Sequence, residues 1–169
     1  MKPLLLLSLL ASVATADDFF DDCYKIESIK LPDGVPPEVG GIDFAPDGSL
    51  FVVLRRGDVL KAKPESDPNA FKWELFATGF HNGCGIDAIT PSKIRVTQMS
   101  DMQEAEDTDN DGKADRYTRF SSGWGLSGNY HETNTLTDDG NDGYFLAIGT
   151  ASHNGRSEER RVGKECTIQ

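Results

Sequence analysis

One pattern occurs twice at a fixed spacing. Gly41-Ile42-Asp43-Phe44-Ala45-Pro46-Asp47-Gly48-Ser49-Leu50-Phe51-Val52-Val53 is an apolar run, a tight turn and a second apolar run. Forty-four residues later, Gly85-Ile86-Asp87-Ala88-Ile89-Thr90-Pro91-Ser92-Lys93-Ile94-Arg95-Val96-Thr97 repeats it. A looser third copy runs from His131 through Leu136, over Asp139-Gly140, to Tyr144–Ile148. In the first copy Pro presets φ for the turn and Gly takes its left-handed position, which is hairpin chemistry. Between the first two copies, Asp58–Lys63 and Lys72–Thr78 are also strand-like, so each period holds about four strands. A period of roughly 40–50 residues with four strands is the signature of propeller blades. The expected fold is therefore all-β: a partial, truncated β-propeller with about two blades and the start of a third. A β-sandwich would explain the strands but not the fixed offset. Ahead of the first copy, Tyr24–Lys30 alternates apolar and polar residues, which predicts one more strand.

Gln98–Gly112 reads as an insertion between the second and third strands of the second unit, with Asp115–Phe120 as the returning strand. Within it, Asp107-Thr108-Asp109-Asn110-Asp111-Gly112-Lys113-Ala114-Asp115 sets oxygen-bearing side chains at alternate positions before a glycine. That is the opening of an EF-hand-type calcium loop. Calcium is a hard cation that takes about six to eight oxygens. Asp107, Asp109 and Asp111 would be direct ligands, Lys113 would offer its carbonyl, and Asp115 would act through water. The twelfth position is Thr118 where an EF-hand has glutamate, and no helical pattern flanks the loop. Glu104 and Glu106 are candidates to complete the shell. The competing reading is an acidic surface turn, because Asp, Asn and Gly are the ordinary turn residues. A bound ion is expected to brace the loop rather than to catalyse.

The two ends differ from the middle. Lys2, the apolar run Leu4–Leu10 and the small residues Ala14-Thr15-Ala16 make residues 1–16 a secretory signal peptide with cleavage after Ala16. The run is too short to span a bilayer, and no later stretch qualifies. A secreted or periplasmic location is expected. At the other end, Arg156-Ser-Glu-Glu-Arg-Arg-Val-Gly-Lys-Glu-Cys166 is what a sequencing-library adapter encodes when translated, residue for residue. Residues 156–169 are therefore read as an assembly artefact without ordered structure, and residues 17–155 as the N-terminal part of a propeller domain. The net charge of the whole chain is −11. The balance between the two ends is more negative still, because the tail carries more basic than acidic residues. Such a chain repels nucleic acid and anionic membranes. Cys23 and Cys84 remain, either as a disulfide or as two buried thiols. Neither lies in a zinc or thiol-redox motif.

Catalytic candidates are few. Gly123–Glu132 is a glycine-rich connection ending at His131. Inter-blade connections line the axial face of a propeller, and a histidine there titrates near neutrality, as a general base must. The alternative is a histidine bonded to a backbone carbonyl. His81 precedes an Asn-Gly turn, and His153 abuts the suspected junction. Trp73 is expected in a sheet core, while Trp124, between glycines, fits either a ligand wall or core packing. Nucleophile-elbow, P-loop, dinucleotide and His-Glu-x-x-His motifs are absent from the sequence.

Three of these stretches together resemble the glucose/sorbosone dehydrogenase family of secreted propellers, the PQQ-dependent sugar dehydrogenases and their relatives. They are the Gly41–Val53 hairpin, the acidic run Asp107–Arg116 (common in bacterial membrane-bound-dehydrogenase-like members), and His131…Leu136…Asp139-Gly140…Tyr144–Gly149. The resemblance implies a six-bladed propeller and oxidation of an aldose or alcohol, with hydride passing to PQQ. It gives His131 the role of the base that takes the sugar's hydroxyl proton. The sequence departs from the family where a glycine is expected after the histidine, at Thr133 or Asn134, and at Thr150, where the family closes Ile-Gly with Asp. The family draws its cofactor arginines and cofactor-bound calcium from later blades, so the polypeptide as written is not expected to bind PQQ. The alternative function is a non-catalytic propeller that binds glycans or proteins through the same face.

Overall fold

The computed structural model describes residues 23–123, 132–141, 143–149 and 158–163. Strands β1 (Val39–Phe44), β2 (Leu50–Leu54), β3 (Val59–Ala62) and β4 (Glu74–Ala77) pair in chain order as one antiparallel sheet. Strands β5 (Gly85–Thr90), β6 (Lys93–Thr97), β7 (Asp101–Glu106) and β8 (Arg116–Ser122) form a second sheet of the same order. Strands β9 (Glu132–Asp138), β10 (Gly143–Gly149) and β11 (Glu158–Gly163) form a three-stranded third. None of the three sheets closes on itself.

The repeat read from the sequence is a repeat of register. In the first hairpin Gly41 pairs with Val53, Ile42 with Val52 and Asp43 with Phe51. In the second, Gly85 pairs with Thr97, Ile86 with Val96 and Asp87 with Arg95. Every one of these pairs is displaced by the same 44 residues. In the third sheet Leu136 faces Leu146 and Asp138 faces Tyr144.

Because side chains alternate across a strand, this register gives each sheet two distinct faces, a front and a back. The back of the first sheet presents Phe51, Val53, Val59 and Phe76, which bury against the front of the second, Ile86, Ala88, Ile94 and Val96. Phe51 and Phe76 meet edge to face, with centroids 5.1 Å apart. The back of the second sheet presents Met102 and Phe120, which pack on Tyr144, Leu146 and Leu136 from the front of the third. At the first strands the backbones come very close. A Cβ on Gly40 would stand 1.9 Å from the Gly83 carbonyl oxygen, so only glycine allows this approach. Two sequential four-stranded meanders laid face to face, with a third sheet following, make a partial β-propeller-like fold.

Four expectations need correction. Tyr24–Lys30 pairs with no strand, and Tyr24, Ile26 and Ile29 are exposed. An alternating pattern alone does not make a strand. Asp101–Glu106 is itself the third strand of its sheet rather than part of an insertion, so the acidic loop joins the third and fourth strands. Trp73 lies beside the first sheet, half-buried against Phe71, and its indole N–H donates to the Lys30 carbonyl at 2.9 Å. Cys84 is buried with Sγ 3.3 Å from the Asn82 carbonyl, Cys23 is exposed, and no bond joins them.

Residues 158–163, inside the stretch read as adapter-derived, run as β11 beside β10. An open sheet edge offers its ladder to any extended segment, so this pairing does not bear on where those residues came from. Among the described residues no helix is long and apolar enough to cross a membrane.

Candidate metal site

The Asp107–Asp115 loop is the turn of the β7–β8 hairpin. Its entry is anchored by the Asp107 N–H on the Ser92 carbonyl at 2.8 Å, and its exit by the Asp115 N–H on the Glu106 carbonyl at 3.0 Å. The far side is tied to the first sheet. The Ala114 N–H donates to the Phe76 carbonyl at 2.7 Å, and Ala114 packs on the core between the sheets.

Inside the loop, Asp107 is the buried organiser. Its Oδ1 accepts from the N–H groups of Asn110 and Asp111, at 2.7 and 3.2 Å, and its Oδ2 from Gly112 at 2.9 Å. Asn110 at φ 63° and Gly112 at φ 92° take the left-handed conformation that wraps the backbone around this carboxylate. Asp109 accepts from the Asp111 N–H at 3.2 Å, and Asp111 from the Lys113 N–H at 2.8 Å.

One carboxylate oxygen from each of Asp107, Asp109 and Asp111 lies within 4.8 Å of the others. Three anionic oxygens this close, on a loop braced by its own amides, match the donor chemistry a hard divalent cation requires. Asp107, Asp109 and Asp111 would hold it.

The other candidate positions have partners of their own. Asp115 is turned to Thr108, accepting from its N–H at 3.0 Å and from its hydroxyl, and these bonds hold its carboxyl below the usual range. Lys113 directs its N–H to Asp111. Thr118 lies on β8 opposite Glu104.

Glu104 and Glu106 are paired with cations across the sheet. Lys93 stands 3.1 Å from each, Arg95 reaches Glu104 at 3.0 Å, and Arg116 pairs with Glu106. The register sets Arg95 opposite Glu104 and Lys93 opposite Glu106. Cross-strand opposite charges of this kind stabilise a sheet. They also neutralise carboxylates that a reading of sequence alone leaves in mutual repulsion.

Behind this charged row lies a relay that sequence reasoning missed. Arg95 donates to the Tyr144 hydroxyl at 2.8 Å, and the Tyr144 hydroxyl donates to Asp87. The guanidinium also lies over the Phe120 ring, 3.9 Å from its centroid. Burial pushes the Asp87 carboxyl up, with the Asp43 and Asp138 charges adding to it. Burial and the neighbouring Asp87 push the Tyr144 phenol up. Arg95, on the back of the second sheet, is the one signal that could have found the relay: the equivalent position in the first unit is Phe51, so a charge there has to meet a partner.

His131, Trp124 and His153 lie outside the described residues. His81 is exposed in the connection between the first two sheets; its N–H donates to Gln98 Oε1 at 2.7 Å, and its carbonyl accepts from Met99 at 3.2 Å.

No protein-family model matches the chain, and no curated protein matches it. Two solved structures do. One is the holo form of the PQQ domain of pyranose dehydrogenase from Coprinopsis cinerea. It is 14% identical, with a TM-score of 0.54 over 73% of this chain and 32% of that one. The other is an iodide structure of a carbohydrate-active enzyme of family AA12 from Trichoderma reesei. It is also 14% identical, with a TM-score of 0.55 over 73% of this chain and 33% of that one. At this identity the likeness is one of fold. The chain spans about a third of the length of the structures it matches.

Proposed function

We propose that the chain is the N-terminal part of a secreted, calcium-binding, six-bladed β-propeller related to PQQ-dependent sugar dehydrogenases. The full-length protein oxidises an aldose or alcohol. The observation that carries this reading is the fold likeness to the PQQ domain of a pyranose dehydrogenase, joined to the three-carboxylate loop. His131 is the proposed base. Its support is positional, since it ends the connection that leads into β9.

Calcium at Asp107, Asp109 and Asp111 braces the β7–β8 turn against the first sheet. PQQ is a tricarboxylate and needs cations around it. A cavity of ≈ 420 Å³ beside the first sheet is walled by Ile29, Leu31, Val35, Ile42, Val52 and Trp73 among others, an apolar lining that does not fit it. On this reading the quinone is held by later blades, as the resemblance implies, and no step through it is derived from these residues.

The test is full-length protein reconstituted with PQQ and calcium and assayed with aldoses and a dye acceptor. Dye reduction that His131→Ala abolishes supports the reading. Absence of dye reduction, or full activity in His131→Ala, removes the catalytic claim and leaves a propeller that binds glycans or proteins.

A further inference from the structure

The first sheet has two unlike ends. The connection from β4 to β5, which carries His81, leaves from one of them; the β1–β2 turn and the β3–β4 connection lie at the other, as antiparallel chain order requires. At that other end the β3–β4 connection closes with Phe71 and Trp73, both half-buried.

Trp73 is fixed from two sides. Its indole N–H donates to the Lys30 carbonyl at 2.9 Å, and with Phe71 and Leu31 it packs on the cluster of Leu50, Val52, Leu54 and Leu60. The Phe71 ring lies beside it, with centroids 5.8 Å and planes 30° apart. The two rings line a shallow, open cavity of ≈ 280 Å³, together with Lys30, Asp33 and Asn69. Lys30 and Asp33 pair at 3.1 Å, so the charges in this lining cancel although the chain carries −11. Asn69 is oriented by Asp67, which accepts from its backbone N–H at 2.9 Å and from its side-chain amide at 3.2 Å.

This lining selects among ligands. A wholly apolar molecule would cover the polar groups without pairing them. An ion would find the charge there already matched. A sugar ring suits both parts. Its C–H face lies on the aromatic rings, and its hydroxyls, each a donor and an acceptor, exchange hydrogen bonds with the carboxylate, ammonium and amide. Side chains held in place before binding lose little freedom on binding. The volume lies at the small end for ligand sites, which fits one ring rather than a whole oligosaccharide.

We propose that Phe71, Trp73, Lys30, Asp33 and Asn69 bind one ring of a neutral saccharide, at the end of the first sheet remote from the inter-sheet connections. The site is a holding site. It does not involve His131 and needs no residue beyond those described, so it does not rest on the dehydrogenase reading.

The experiment titrates cellotetraose, maltotetraose and mannotetraose separately into the 169-residue chain by calorimetry. The expected result is saturable binding of at least one of them. Asn69→Ala and Asp33→Ala, both exposed, should each weaken it about 5–10-fold, as the loss of a hydrogen bond does, without changing the melting temperature. Trp73→Ala should abolish it. Because Trp73→Ala also uncovers part of the apolar cluster, the two rim variants carry the test.

Absence of saturable binding with all three sugars overturns the proposal. So does an affinity that neither rim variant changes. Binding that His81→Ala removes and the rim variants leave intact puts the sugar at the opposite end of the sheets, and overturns it as well. A full-length protein that binds sugar through the rim residues but reduces no dye upholds this site and removes only the dehydrogenase reading.

Discussion

Asp43 and Ala88 are joined across the gap between the first two sheets: Oδ2 of Asp43 accepts the Ala88 N–H at 2.8 Å. Ala88 is buried, so removing the acceptor leaves an amide that water does not reach. Asp43→Ala is expected to destabilise the fold by about 1–3 kcal/mol, and Asp43→Asn, which keeps an acceptor oxygen, by clearly less. Urea denaturation of the two variants checks the order.

Gly40 sets how closely the same two sheets approach. Gly40→Ala forces its Cβ into the Gly83 carbonyl, and backbone cannot yield as a side-chain end does. The expected cost lies toward the upper end of the roughly 1–3 kcal/mol that overpacking brings. The slope of the denaturation curve should be unchanged, because the unfolded chain exposes the same surface.

Arg95 holds Glu104 and Tyr144 at once while covering Phe120. Arg95→Met is expected to cost about 1.5–3 kcal/mol, the range for hydrogen bonds to charged groups. Arg95→Lys should rescue little of it, because an ammonium lacks the planar fork that serves two acceptors and lies flat on a ring. Melting temperatures of the three proteins decide this.

Two aspartates bend the stability profile in acid in opposite directions. The Lys63 hydrogen bond and the Ser49 N–H hold the Asp47 carboxyl at about 2. Its contribution is therefore present above its ordinary value near 3.8 and is lost as the pH falls through about 2. Asp87 is raised by burial, so its contribution is present below 3.8 and is lost as the pH rises through its folded value. Asp47→Asn should flatten the loss of melting temperature in acid. The stability of Asp87→Asn relative to the parent should rise with pH. Melting curves taken between about pH 2 and pH 6 read both signs.

The acidic loop separates ligand from scaffold. With calcium at about 100 times its Kd, the fold should gain about 2.7 kcal/mol over the protein in chelator. Asp109→Asn should remove most of that gain while leaving the metal-free melting temperature nearly unchanged, since Asp109 accepts one backbone bond. Asp107→Asn should lower both, because three amides converge on Asp107. Calorimetry with and without calcium distinguishes the two outcomes.

What the sequence revealed was local. Both hairpins were legible because Pro-Asp-Gly and Thr-Pro-Ser are turns whose chemistry is complete within a few residues. The loop at Asp107 was legible for the same reason. Its setting was not. Met102-Gln103-Glu104-Ala105-Glu106 has no β-branched residue, and what holds it as a strand is the burial of Met102 and Ala105 together with the cations of β6 laid opposite by the register. The relay from Arg95 through Tyr144 to Asp87 joins residues 49 and 57 positions apart, beyond the reach of any periodicity. Tyr24–Lys30 erred the other way: it alternates like a strand but pairs with none.

The shared register of the first two hairpins also bears on ancestry. A duplication or deletion of coding sequence spanning 44 residues lands every side chain on the face it left. One residue more or less turns each of them over. Recombination between such units can change the number of sheets in a single step without redesigning a core, provided that it keeps to that stride.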